Sequence, residues 1–159
     1  MYKSAKILSL RVIVLIFISS CNDKESTSPF VKVLMQAPYA ELTDSIKKEP
    51  KKDELYFRRA VLLNTNELPE PALADFKKAW SLKKDEKYAF GLSNLLLDKK
   101  PDSAILFLNG ALKELPNSFL LQVTLARAYN AQNKTDLALQ LCNSLLEKNP
   151  MQTAFLKMK

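Results

Sequence analysis

The sequence contains no histidine and only two glycines among its 159 residues. Without imidazole there is no histidine-based triad, no side chain whose ordinary pKa lies near neutrality and no histidine metal ligand. Gly91 and Gly110 stand apart, so no glycine-rich loop exists to cradle a phosphate. Cysteine is equally scarce, Cys21 and Cys142 being the two, and neither sits with carboxylates at metal-ligand spacing. The acid pairs Asp53-Glu54 and Asp85-Glu86 fall at the starts of predicted helices, where the helix dipole favours negative charge, and not in an arrangement for paired-carboxylate catalysis. A long hydrophobic run is missing too. The most apolar stretch, Ile7 to Ile18, is interrupted by Ser9 and Arg11 and falls short of the roughly 20 residues that a helix needs to cross a bilayer. What remains is 47% hydrophobic and 26% charged residues, the composition of one globular domain in which Leu, Ala and Lys favour helix over sheet. The expectation is an all-α protein that is not an enzyme and takes no metal or diffusible cofactor.

Lys3, Lys6 and Arg11 lead into the apolar run Val12 to Ile18, and Ser19, Ser20 and Cys21 follow at once. Basic, apolar, then small residues is the order of a secretory signal peptide. Ile18-Ser19-Ser20-Cys21 resembles the bacterial lipobox, in which an aliphatic and two small residues precede the cysteine that is lipidated and becomes the first residue after cleavage. An ordinary secretory signal that happens to end in cysteine is the alternative. The resemblance implies a signal peptide over residues 1–20, a covalent lipid on Cys21 and attachment to a membrane. Each buried CH₂ of an acyl chain contributes about 0.8 kcal/mol, so several chains hold a protein on a bilayer stably. Cys142 is then the only thiol left, no intramolecular disulfide can form, and Cys142 is expected to be a small buried apolar residue.

Asn22 to Pro29 is polar and without apolar periodicity, so residues 21–37 are read as the lipidated Cys and a flexible linker. Asp23 and Glu25 close to Cys21 resemble the export signals of surface lipoproteins of the Bacteroidota; plain linker composition is the other reading. The expected location is the cell envelope, on the outer membrane, with its periplasmic or surface side left open. Removing residues 1–20 takes away three bases and no acid, so the net charge falls from +7 to +4. The rest is spread through mixed stretches such as Lys83-Lys84-Asp85-Glu86-Lys87, which mark a solvated face and no nucleic-acid partner.

Ala72, Ala104 and Ala138 recur at intervals of 32 and 34 residues, and a period near 34 points to a helical repeat array. Leu125, Ala126 and Tyr129 on one helix, Ala138 and Cys142 on the next, and Pro150 after it give the clearest copy. Tyr56, Ala60, Leu63, Ala72, Phe76 and Ala79 give another, with Arg59 in an apolar place and no closing proline; Ala104, Leu108, Ala111 and Pro116 give a third. On these residues the chain resembles the tetratricopeptide repeat (TPR) family. The resemblance implies a solenoid of antiparallel helix pairs over residues 53–150, in repeats of about 53–86, 85–118 and 119–152. First helices are expected over 53–66, 86–98 and 117–131, second helices over 69–82, 101–114 and 134–148. Pro69, Pro71 and Pro101 fall in first turns, where a missing N–H costs nothing. Gly91 sits one residue too early for the repeat glycine, which a shift in the turn near Asp98-Lys99-Lys100 absorbs. Residues 38–52, with Leu42 and Ile46 four apart, are expected to form an N-terminal capping helix. Residues 151–159, with Phe155 and Leu156, read either as a C-terminal stub or as the start of a further capping helix. An uncapped last helix leaves an apolar face for self-association or docking.

The family resemblance also implies a partner, a protein or peptide segment held on the concave face that the first helices line. Carried over, the inner positions are Glu54, Phe57, Val61, Asn64 and Thr65 in the first copy, Leu120, Val123, Arg127, Asn130 and Ala131 in the third, and Asn94 in the middle one. Phe57, Val61, Asn64, Val123, Arg127 and Asn130 are the candidate partner-binding set; ordinary solvated positions are the alternative reading. The Lys-and-Asn clamp of chaperone-binding TPR domains is not matched. Phe76 and Trp80, four apart, are expected to pack between repeats. Arg58 and Arg59 point in different directions, one within reach of Glu54 and the other near a helix interface, where an unpaired arginine is costly.

Overall fold

The computed structural model describes residues 29–148. Among the described residues there are eight helices and no strand: α1 Val31–Leu34, α2 Ala40–Lys48, α3 Asp53–Thr65, α4 Pro69–Leu82, α5 Glu86–Lys99, α6 Pro101–Glu114, α7 Phe119–Ala131 and α8 Thr135–Lys148. Each helix from α2 onward packs on its neighbour in chain order, and α5 also packs on α7. This is a solenoid of helix pairs, the arrangement that the tetratricopeptide resemblance implies, with α3–α4, α5–α6 and α7–α8 as its three pairs.

Local chemistry sets the boundaries. Pro69 and Pro101 open α4 and α6 from first-turn positions. Asp85 caps α5 by accepting the Lys87 N–H, and Ser118 caps α7 by accepting the Leu121 N–H, each satisfying a donor that the helix itself leaves free. Small residues mark the close crossings: Ala60, Ala72 and Ala104 have no exposed surface and share a core cluster with Leu63, while Leu108 and Leu121, equally buried, pack in the next cluster with Ala89, Ala111 and Ala128. Phe76 is buried, and Trp80 packs edge-on to Phe107 with ring centroids 5.7 Å apart.

The first helices of the pairs begin at Asp53, Glu86 and Phe119, two equal steps of 33 residues. The middle pair therefore starts at Glu86, one residue later than the spacing of the alanines implies, and Ser93, fully buried, occupies the place of Ala60 and Ala126. The turns absorb the difference. Glu67 and Asn133 adopt positive φ (59° and 57°) in the equivalent turns of the outer pairs, whereas α5 runs on to Lys99 and only Lys100 separates it from α6. Gly91 is consequently not a misplaced repeat glycine. A Cβ there would lie 2.5 Å from the Phe76 ring, so glycine is what lets that ring from α4 lie against the α5 backbone.

Two expectations, the linker and the burial of Cys142, are corrected, and the arginine expected near a helix interface is found with its partners. The linker does not extend to residue 37: residues 31–34 form α1, Val33 and Leu34 pack against the first core cluster, and Tyr39 is buried. Arg59 is buried and fully engaged. Its Nε and Nη2 donate to the two carboxylate oxygens of Asp75 at 2.6 and 2.8 Å, its Nη1 donates to Thr43 Oγ1 at 2.9 Å, and Thr43 donates onward to the Leu34 carbonyl at 2.7 Å. One hydrogen-bonded chain thus ties α4, α3, α2 and α1 together. Cys142, finally, is exposed, because the side of α8 that carries it with Leu139 and Leu146 has no helix packed on it among the described residues. Cys21, Pro150, Phe155, Leu156, the signal segment 1–20 and most of the tether lie outside the described residues.

Candidate functional site

Because α3, α5 and α7 start in equal steps, their inner positions fall into rows. Phe57, Phe90 and Val123 form one row, Val61, Asn94 and Arg127 the next, and Asn64, Leu97 and Asn130 a third. Spacing between the helices is not uniform. α5 packs directly on α7, where Ala89 and Ala128 share a core cluster. Between α3 and α5 stand aromatic rings, Phe57 meeting Phe76 at 5.9 Å and Tyr88 at 5.0 Å between centroids. The gap they prop open is a cleft of about 310 Å³, lined chiefly by Phe57, Val61 and Asn64 from α3 and Phe90, Asn94 and Asp98 from α5, with Phe76 and Gly91 behind.

A second depression, of about 370 Å³, runs between α2 and α3 along Leu42, Arg58, Leu62 and Thr65. It shares Phe57 and Val61 with the first. Val61 is 43% exposed on the ridge between them, so apolar surface is continuous from α2 across α3 to α5.

Three of the six sequence-predicted residues, Phe57, Val61 and Asn64, therefore come together in one cleft. Val123, Arg127 and Asn130 lie on α7, outside its lining. Arg127 reaches back to it, donating from Nη1 to Asn94 Oδ1 at 3.3 Å. Phe90 and Lys87 were not among the sequence candidates. The step of 33 residues from Phe57 to Phe90 would have found the former, but a middle register anchored on Ala104, 32 residues after Ala72, hid it.

The rim near the helix starts is an electrostatic latch between the first two pairs. Lys87 pairs with Glu54 at 2.5 Å and lies over the Phe57 and Tyr88 rings, 5.3 and 5.1 Å from their centroids. Tyr88, with only 1% of its surface exposed, donates to Asp53 at 2.5 Å and is also within 3.0 Å of Glu54. Lys87 thus takes the carboxylate of Glu54 that the sequence placed within reach of one of Arg58 and Arg59. The hydrogen bond from Lys87 holds Glu54 below the ordinary glutamate value, and burial followed by the two carboxylates pushes the Tyr88 phenol up.

The signs fix a pH window. Glu54's contribution is present above its unfolded pKa of 4.5 and is lost as pH falls through its lower folded value; Tyr88's is present below 10.0 and is lost as pH climbs towards its raised value. The Glu54 pair is partly exposed, so its share is small. The thermal midpoint should be flat across neutral pH and fall above about pH 10. Tyr88→Phe should flatten that alkaline fall in a pH series of melts; an unchanged fall would mean that the latch does not couple to folding.

Among the described residues no group of three or more His, Cys, Asp or Glu side chains could hold a metal ion, and no helix is long and apolar enough to cross a membrane. A family profile described as Tetratricopeptide repeat matches residues 95–159, which include the end of α5 and α6 to α8. No curated protein matches the sequence. TPR arrays generally mediate protein–protein interaction and are generally scaffolds without catalysis, and the equal helix steps carry the architecture of the matched segment back to Asp53.

Proposed function

We propose that this chain is a non-enzymatic interaction scaffold, anchored to a membrane of the bacterial cell envelope through a lipid on Cys21, which holds a segment of another protein on its concave face. The observation that carries the binding half is the cleft between α3 and α5, built from inner-row residues and continuous through Val61 with the apolar groove beside α2. The anchoring half rests on the signal-like order of residues 1–21 and the polar tether that follows. Outer-membrane placement follows from analogy with lipid-anchored TPR proteins that serve envelope assembly.

Val61→Asp places a charge on the exposed ridge without opening the core. Proteins that copurify with the wild-type chain from solubilised membranes should be lost with Val61→Asp and kept with Leu106→Asp, which alters the 78% exposed Leu106 on α6. Equal recovery with both variants would move the binding surface off the concave face.

A second reading, self-association into a structural subunit, is favoured by one observation: Leu139, Cys142 and Leu146 form an exposed apolar stripe on α8, with Leu139 56% and Leu146 45% exposed. It predicts a mass in detergent solution that rises with concentration and becomes monomeric in Leu139→Asp. A concentration-independent monomer eliminates it.

A further inference from the structure

Resting on the concave-face reading, we infer that the segment held there is an extended acidic peptide that places two large apolar side chains about three residues apart, followed about three residues later by a carboxylate at Arg127. Both depressions are small and open. At about 310 and 370 Å³, each depression is at the lower end of the range of small-molecule sites, roughly 300–1,000 Å³, and is open to solvent along its length. Two such depressions on either side of one helix suit two side chains of a single strand.

Helix spacing sets their separation. Packed helices lie about 8–10 Å apart, so the grooves flanking α3 are separated by about that distance. In an extended, polyproline-like chain, which rises about 3.1 Å per residue with three residues per turn, side chains three apart share a face at about 9 Å. The first apolar side chain then enters the groove of Leu42, Phe57 and Leu62, and the second enters the cleft of Phe57, Phe90 and Phe76. Asn64 and Asn94 border the second pocket, with carboxamides that can bond a peptide backbone in either sense.

Charge selects the rest. Lys87 is neutralised by Glu54, and Glu54 and Asp53 are occupied by Tyr88. Among the described residues Arg58 and Arg127 form no ion pair with a carboxylate; the one hydrogen bond of Arg127 goes to the neutral Asn94. Arg58 lines the α2–α3 groove and Arg127 stands one helix beyond the cleft, so an exposed arginine stands at each end of the apolar path. Asp98 lines the cleft itself and repels a carboxylate inside it. The acid of the ligand therefore belongs past the cleft, one further helix step along, at Arg127.

The test uses the full chain in detergent and a phage-displayed library of random twelve-residue peptides. Enriched sequences should carry two large apolar residues three apart and Asp or Glu three beyond. Val61→Asp should weaken a synthetic peptide of that pattern at least about tenfold, and Arg127→Glu should weaken it about tenfold while changing its acid-to-Gln version little. Both residues are exposed, and unchanged melting of the variants shows that the fold is kept. Enriched peptides that depend on Val61 but lack the spacing or the acid overturn the assigned chemistry and leave the concave-face reading standing. Peptides indifferent to Val61→Asp, or no enrichment, overturn both.

Discussion

Asp75→Ala is expected to destabilise the fold by about 3–5 kcal/mol, because it strands a buried guanidinium. Arg59 and Asp75 are 8% and 6% exposed, and the two hydrogen bonds between them, at 2.6 and 2.8 Å, join α3 to α4. Once the carboxylate is gone, Thr43 is the only partner left to the guanidinium among the described side chains, and a hydroxyl cannot balance a buried charge. Arg59→Leu in the same chain should restore most of the loss, since leucine returns an apolar side chain to a place where TPR helices usually carry one, and apolar replacement of a buried pair is often neutral or better. Denaturant melts of the two single variants and the double variant measure this directly. Equal and additive losses would mean that the pair is not coupled. The extension through Thr43 to the Leu34 carbonyl adds a local outcome: amide exchange in α1 and α2 should rise in Asp75→Ala more than in α7 and α8.

Cys21→Ala is expected to leave the protein unprocessed or unanchored. If Cys21 carries the lipid, the variant incorporates no labelled fatty acid and stays as the longer precursor, because cleavage of a lipoprotein signal follows lipidation of the cysteine. Fractionation with fatty-acid labelling decides it; a variant that is still labelled and still sediments with membranes removes the lipoprotein claim.

The helices were legible in the sequence because their signals are local. Apolar spacing, first-turn prolines and acids at helix starts act over a few residues, and the expected first helix over 53–66 lies within one residue of α3. What failed was set across the fold. Gly91 announces a close approach without saying that the approaching group is Phe76 from the preceding helix, so it could not correct a middle register that the alanine spacing set one residue out of place. Arg59 announces a cost, but its partner lies sixteen residues away. Cys142 has the residue type of a buried position, yet its exposure depends on what packs against α8. The four-residue α1 is too short for any period to show.

The site divides in the same way. Inner positions on α3 could be carried over from the family resemblance, and the structure brings Phe57, Val61 and Asn64 to one cleft. The cleft itself was not readable, because it exists only where the Phe57, Phe76 and Tyr88 rings hold α3 away from α5.

The central claim, that the concave face holds another protein, is tested most directly by photo-crosslinking in living cells from position 61, on the ridge between the two grooves, against position 106 on α6. The account predicts a discrete adduct with a second protein from position 61 that is absent from position 106 and disappears when Phe57→Ala accompanies the crosslinker. Adducts of the chain with itself alone, or the same adducts from both positions, would contradict it.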